Sequence, residues 1–180
     1  MKKTKQKVYY HFTGDTLRNG EPIPPVGKWL KHKGKLVPCE SGLHASECPF
    51  DALQFAPGHM LHCVVLRGKV IPDGNPVDKV CARSRKIVAT INAGKMCRAF
   101  ARRVALDVID KWDAPKIVLD YLKTGDESLR EAARAAACAS ASASARTSDW
   151  AAAWAAAFQK YRVWFAEMVD AEFSKQTKRK

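Results

Sequence analysis

Short apolar runs alternate with turn-forming residues through the first half of the chain. The runs KVYYHF, KLVPC, HMLHCVVLRGKVI and RKIVATI, up to about residue 92, are rich in β-branched and aromatic residues, which favour strands. The segment PFDALQFA differs, since Pro49 is tolerated in a first helical turn and the residues after it suit a helix. We therefore predict a mostly antiparallel β domain over residues 1–93 that contains one short helix.

From Gly94 onward the apolar positions follow a helical period. Met96, Phe100, Val104 and Val108 recur every four residues and define one face of a helix. Lys95, Arg98 and Arg102 fall on the other side of the same helix and form a basic stripe.

Further helices follow along the chain. Asp113 is predicted to cap a helix that ends at Gly125, and Ser128 with Glu131 has capping-box spacing before an alanine- and serine-rich helix. A break at residues 146–148 leads to a last helix. Residues 94–180 are therefore predicted to be a helical, alanine-rich region of about four helices, the last two forming a hairpin. The fold class expected is α+β.

The last helix carries an aromatic stripe at helical spacing. Core packing is the expected role of such a stripe, and a homo-oligomer interface is the alternative. The residues in question are Trp150, Trp154, Phe158, Tyr161, Phe165 and Met168.

The charge of the chain favours an anionic partner. The 31 Lys and Arg against 18 Asp and Glu give a net charge of +13, which suits nucleic acid or a nucleic-acid-bound complex. The chain begins with no signal-peptide pattern and has no stretch long and apolar enough for a membrane span, so the cytoplasm is the expected location. Its six cysteines contain no C-x-x-C pair, and no metal site is predicted.

The candidate nucleic-acid and anion contacts are the basic residues that cluster in the sequence. Trp29 lies among lysines in GKWLKHKGK, a pattern that suits single-stranded nucleic acid, although a hairpin with solvated lysines gives the same pattern. Arg83 and Arg85 alternate onto one strand face. The full set is Lys28, Lys31, Lys33, Lys35, Arg83, Arg85, Lys95, Arg98 and Arg102.

The order of motifs in the first half resembles the ADP-ribosyltransferase fold. Tyr10-His11-Phe12-Thr13 looks like its first strand, residues 42–55 look like its glycine-containing segment and helix, and residues 61–68 look like a later strand. The resemblance implies NAD as a possible cofactor and His11 and His44 as the functional histidines. The cofactor contacts that it implies are His11, Thr13, Gly42, His44, Ser46 and Phe55.

One element of that resemblance fails. The final strand of such enzymes opens with a catalytic glutamate, whereas residues 81–86 read CARSRK, with Ser84 among basic residues. The departure argues against transferase activity, although Glu40, Glu47 or Asp78 could reach the site.

A second resemblance covers nearly the whole chain. The segments CESGLHAS, PFDALQFAPG and LDYLKTGDESLREAARAAA are similar to an uncharacterised family of bacteriophage and prophage proteins. This resemblance implies a phage accessory protein in the host cytoplasm. The function expected is non-catalytic binding, through a basic surface, of nucleic acid or a nucleic-acid-bound host machine, such as a defence complex. The alternatives are an NAD-dependent ADP-ribosyltransferase and a structural or oligomerisation protein.

Overall fold

The computed structural model describes residues 6–141 and 150–177 of the chain. The architecture is α+β, with an antiparallel sheet followed by helices, as the sequence predicts. The strands are β1 (Tyr9–Thr13), β2 (Trp29–Lys31), β3 (Leu43–Ala45), β4 (Met60–Asp73) and β5 (Lys79–Asn92). The helices are α1 (Pro49–Gln54), α2 (Gly94–Asp107), α3 (Lys116–Thr124), α4 (Arg130–Ala141) and α5 (Trp150–Thr177).

The sheet is organised around the long hairpin of β4 and β5. β1 pairs with β4 on one side, while β2 and β3 both pair with β5, and every pairing is antiparallel. The register between β4 and β5 shifts between Cys63 and Val64 and again between Arg67 and Val70. Such irregularities bend a strand and increase its twist.

The apolar side chains of these strands form the core of the sheet. Tyr9, Val64, Val80 and Ile87 are buried together with Ala45. Tyr9 comes from β1, Ala45 from β3, and the others from the hairpin, so the core depends on pairing between segments far apart in sequence.

The described chain falls into two compact units. The first combines the residues up to Gly94 with those from Arg162 onward, and the second is Lys95–Tyr161. The predicted division also had a boundary near residue 94 but kept the whole last helix with the helical region. The second half of α5 joins the first unit because Phe165 and Val169 are fully buried and Phe165 packs edge-on against Phe50 of α1, with 6.2 Å between the ring centroids.

An ion pair also joins α5 to α1 within the first unit. Arg162 donates a hydrogen bond to the carboxylate of Asp51, whose side chain is buried. Burial raises the pKa of Asp51, and the neighbouring guanidinium of Arg162 acts in the opposite direction.

Three local predictions were wrong. The run KLVPC contains no strand, since only Val37 makes a bridge, to Ser41. Pro115, not Asp113, occupies the cap position of α3. The structure shows a different cap from the predicted box of Ser128 and Glu131, since the Asp126 side chain accepts the backbone N–H of Ser128 at 2.9 Å. The first error reflects the lack of a partner strand, and the other two concern helix boundaries where several residues could serve as the cap.

Other predictions were confirmed or lie outside the described residues. Gly125 ends α3 in the left-handed conformation with φ 69°, as predicted. The hairpin of the last two helices depends on residues 142–149, and the side chains of Trp150 and Trp154 also lie outside the described part. Tyr161 and Phe165 are buried, so at these two positions the aromatic stripe supplies core packing. None of the described helices could cross a membrane.

Candidate functional site

A cleft of about 800 Å³ lies in the first unit and is lined by both strands and loops. Its walls come from β1, from the segment that leads into β3, and from β2 and β5. All six residues that the sequence predicted as cofactor contacts line it, namely His11, Thr13, Gly42, His44, Ser46 and Phe55. Folding therefore brings the predicted contacts together, and binding of NAD by them stays a prediction.

Gly42 lets the chain approach β5 closely at the entry to β3. Its φ is 134°, and a Cβ atom there would lie 2.2 Å from the sulfur of Cys81. Only glycine fits both the backbone conformation and the space. This close approach sets the register in which His44 pairs with Cys81, and so positions His44 at the cleft.

His62 supports the cleft from inside the sheet. The Thr13 hydroxyl donates to the Gly14 carbonyl at 2.9 Å, so it accepts from Nε2 of His62, also at 2.9 Å. Nδ1 of His62 in turn accepts from the Thr90 hydroxyl at 2.8 Å. Burial, with a contribution from the Arg85 charge, lowers the pKa of His62 to about 4, which keeps the ring neutral at physiological pH.

His11 stacks on His62 and faces the cleft. The two ring centroids are 6.4 Å apart and the rings are inclined by 28°. Burial holds the pKa of His11 well below its ordinary value, and Arg85 is the next largest cause. Arg18 acts in the same direction, so the charges near His11 are positive.

His44 is also held neutral. Its Nε2 accepts the backbone N–H of Cys39 at 3.2 Å, which leaves the ring proton on Nδ1. Burial lowers the pKa of His44, the charges of Arg85 and Lys79 add to this, and Asp73 opposes it. Two uncharged imidazoles therefore line the cleft at neutral pH.

Arg85 is a buried cation without an ion pair among the described residues. Its side chain is 6% exposed, it lines the cleft, and Nη1 donates to the His44 carbonyl. Burial lowers the pKa of Arg85 to about 10, so the guanidinium stays charged at neutral pH. A guanidinium carries five N–H donors, and one described acceptor leaves the others available to the cleft.

A chain of polar contacts fixes Phe55, which lines the cleft and is 41% exposed. The Lys79 ammonium lies 4.4 Å from the Phe55 ring centroid and 3.3 Å from an Asp73 oxygen. The same Asp73 oxygen accepts from the thiol of Cys39 at 3.0 Å. The hydrogen bond from Cys39 and then the contacts with Lys79 lower the pKa of Asp73. One face of Phe55 is therefore occupied by a cation.

The basic residues predicted as one anion-binding set are divided between the two units. Lys95, Arg98 and Arg102 belong to the second unit and the other six to the first, where only Lys31 and Arg85 line the cleft. Arg98 pairs with Glu127 at 3.0 Å, and Arg102 lies 5.9 Å from the Tyr121 ring centroid.

Arg83 and Arg85, which alternation predicted to share a strand face, differ in exposure. Arg83 is exposed and donates to the carbonyls of His32 and Gly34, at 3.4 and 3.1 Å, whereas Arg85 is buried. Binding of an anion by these residues stays a prediction. Trp29 is only half-exposed, and Lys86 and Arg67 lie over its ring at 5.1 and 5.9 Å from the centroid.

The carboxylates considered as substitutes for the missing glutamate are placed differently. Glu40 lines the cleft, as does Glu21, whereas Glu47 pairs with Lys7 at 2.5 Å and Asp78 is not part of the lining. Among the described residues, no group of three His, Cys, Asp or Glu side chains could hold a metal ion.

Sequence reasoning missed Arg18 and Lys79 as parts of the cleft and gave Arg85 a surface role. Arg18 lies in an irregular loop and Lys79 at the start of β5, so no periodic signal marks either. The CARSRK strand was itself the signal for Arg85, since it stands where the resemblance places a site residue.

The chain belongs to the DUF7666 family, described as a domain of unknown function, whose model matches residues 7–99. This agrees with the predicted membership of an uncharacterised family. The matched residues include every residue that lines the cleft. No curated protein and no solved structure matches the chain. The resemblance to the ADP-ribosyltransferase fold stays a prediction.

Proposed function

We propose that this protein binds a phosphate-bearing ligand of the nucleotide class in the cleft and does not catalyse its transfer. The ligand is either a free nucleotide or part of a nucleic acid. The observation that carries the proposal is Arg85, a buried cation that has no ion-pair partner among the described residues and lines a cleft of about 800 Å³. A buried charge without a partner costs several kcal/mol, about 3–5 where one partner of a pair is removed, and a bound anion would offset this.

The charges and the size of the cleft suit such a ligand. Four cationic side chains line it, Arg18, Lys31, Lys79 and Arg85, against two carboxylates, Glu21 and Glu40. Apolar side chains including Phe12, Leu17 and Leu30 supply surface for a base or sugar. The volume falls in the range of small-molecule sites, about 300–1,000 Å³. A net charge of +13 would also steer anions towards the protein.

Arg85 occupies a position that does not suit catalysis of ADP-ribosyl transfer. Cleavage of the bond between nicotinamide and ribose develops positive charge on the ribose, and a fixed carboxylate stabilises it. This chain has no glutamate near Ser84, and Arg85 lines the cleft instead. A guanidinium there would destabilise the same transition state while it favours binding of phosphate.

Titration calorimetry with ADP, NAD and a 12-nucleotide single strand tests the proposal. We expect saturable binding of at least one probe and a loss of tenfold or more in Arg85→Gln, which keeps a donor for the His44 carbonyl. Arg83→Gln is the matched control, because it removes the same charge two residues away at an exposed position. Absence of binding at millimolar concentrations of all three probes would contradict the proposal.

An NAD-dependent transferase is the second candidate function. It is favoured by Glu40, which lines the same cleft as the predicted NAD contacts. Incubation with labelled NAD and host lysate tests it: labelling lost in both Glu40→Gln and His11→Ala would establish the transferase and overturn the non-catalytic proposal. Wild-type protein that transfers no label would exclude this candidate.

The biological setting is proposed from the resemblance to phage proteins alone. It implies an accessory protein that acts in the host cytoplasm on a nucleic-acid-bound machine, such as a defence complex. Isolation of partners from host lysate with wild-type protein and Arg85→Gln tests it. We expect the wild type, and not Arg85→Gln, to capture one such complex. Equal capture by the two proteins would show that this role does not depend on the cleft.

A further inference from the structure

Arg85 is a charged side chain deep in the cleft. It is 6% exposed, and Nη1 donates to the His44 carbonyl. The other N–H groups of Arg85 have no hydrogen-bond partner within the described part of the chain. Ser46 also lines the cleft, but it exchanges backbone hydrogen bonds with Tyr10 at 2.8 and 2.9 Å, so its side chain shares a face of the sheet with Tyr10 and not with His11. Arg85 therefore has donors available to a ligand.

His11, which is partly buried, adds a second group in the neighbourhood of Arg85. Its ring lines the cleft, is stacked on the fully buried His62, and makes no described hydrogen bond. The carboxylates that line the cleft belong to Glu21 and Glu40. Both residues are exposed, so solvent screens their charges. The interior of the cleft therefore presents a buried cation and an imidazole, with no carboxylate among the described buried residues that line it.

We propose that these two side chains recognise a terminal phosphate, either the monoester of a nucleotide or the phosphorylated end of a strand. The inference rests on the proposed function and names its ligand more narrowly. An internal phosphodiester has a nucleoside on both sides, so both neighbours would have to enter before the phosphate could reach a guanidinium that is only 6% exposed. A terminal phosphate enters with one nucleoside behind it.

The chemistry of a terminal phosphate also fits the donors better. A phosphomonoester carries a charge of about −1.5 to −2 at neutral pH and three acceptor oxygens, whereas a diester carries a single charge. The planar guanidinium can bind two of these oxygens side by side. Protonation of His11 would supply a second charge when the anion is bound.

The test compares probes that differ only in the terminal phosphate. The first set is a 12-nucleotide strand that carries a 5′-phosphate, a 3′-phosphate or only hydroxyl ends. The second set is AMP, which has a terminal phosphate, adenosine, which has none, and NAD, in which both phosphates are internal. We expect each terminally phosphorylated probe that binds to bind at least tenfold more tightly than its unphosphorylated counterpart. Preference for AMP over the strand identifies a free nucleotide as the source, and the reverse identifies a strand end.

Variants separate the terminal-phosphate inference from the proposed function. Arg85→Gln and His11→Gln should both remove most of the preference for phosphorylated probes, and Arg83→Gln and Ser46→Ala should keep it. His11→Gln removes no buried cation, so it tests the inference even if Arg85→Gln does not fold. Equal, Arg85-dependent binding of NAD, hydroxyl strands and phosphorylated strands would overturn the inference and leave the proposed function standing. No binding of any probe would overturn both.

Discussion

Among single residues, His62 links the stability of the protein to pH. Its folded pKa of about 4 lies below the ordinary value of 6.5, so only the unfolded chain binds a proton at this site between those two values. Stability therefore falls as pH drops from about 6.5 to 4. The shift corresponds to about 3 kcal/mol of unfolding free energy. Urea unfolding at pH 7 and at pH 4.5 measures it.

The variant His62→Gln isolates this contribution from other titrating groups. Glutamine keeps hydrogen-bonding capacity towards Thr13 and Thr90 but does not titrate. We expect the variant to be less stable at pH 7 and to lose less stability on acidification than the wild type. An equal loss in both proteins would show that His62 is not the group responsible.

Two glycines separate backbone strain from steric exclusion. Gly42 and Gly27 both have positive φ, 134° and 90°, but a Cβ atom would collide with Cys81 at Gly42 and meet nothing within 4 Å at Gly27. We expect Gly27→Ala to cost about 1 kcal/mol from strain alone and Gly42→Ala about 3 kcal/mol or more. Urea unfolding of both variants measures the difference. Equal costs would mean that the neighbours of Gly42 move aside easily.

The residues of the cleft also show how far sequence reasoning reaches. The six predicted contacts came from a motif order, and folding brings all of them to one cleft because each lies on or beside a strand of the same sheet. The burial of Arg85 was not predicted. Its neighbours in sequence are basic and its burial comes from pairing with distant segments, so a local pattern indicates solvent where tertiary structure provides a cleft wall.

At the level of elements, long runs were predictable and short ones were not. β4 and β5 each span 14 residues and carry their own β-branched signal, so both appear where expected. β2 has three residues and pairs with β5, and the run KLVPC has strand composition without a partner strand. Pairing, which decides these cases, is invisible in a local window of sequence.

The second half of α5 gives a prediction at this level. Phe165 is fully buried in the first unit, whereas Val163 is 56% exposed on the same helix. Truncation of a buried phenylalanine costs about 3–5 kcal/mol, because apolar burial is lost and a cavity remains. We expect Phe165→Ala to lower the unfolding free energy by that amount and Val163→Ala to change it by less than about 0.5 kcal/mol.

Chemical denaturation followed by circular dichroism checks both variants of α5. A small effect of Phe165→Ala would mean that the helix contributes little to the stability of the first unit. A selective loss of cleft binding in Phe165→Ala, with the helix content retained, would instead show that α5 supports the shape of the sheet through its contact with Phe50.

For the molecule as a whole, the question is whether its charge of +13 acts as one surface or mainly steers ligands to one cleft. The nine basic residues predicted from sequence belong to two units, and only Lys31 and Arg85 among them line the cleft. For a single strand, the slope of log K against log salt concentration is about −0.7 per phosphate contact. Binding through the cleft with about two such contacts predicts a slope near −1.4, and binding through nine residues a slope near −6.

Titration of a 5′-phosphorylated 12-nucleotide strand between 50 and 300 mM salt distinguishes these cases. We expect the shallow slope, because a terminal phosphate on Arg85 and one more contact neutralise few charges. Arg85→Gln should weaken binding and make the slope shallower by about 0.7, since one phosphate contact is lost. A steep slope that Arg85→Gln leaves unchanged would place the strand on the exposed lysines and arginines. The basic surface predicted from the sequence would then be the binding site, and the cleft would serve another ligand.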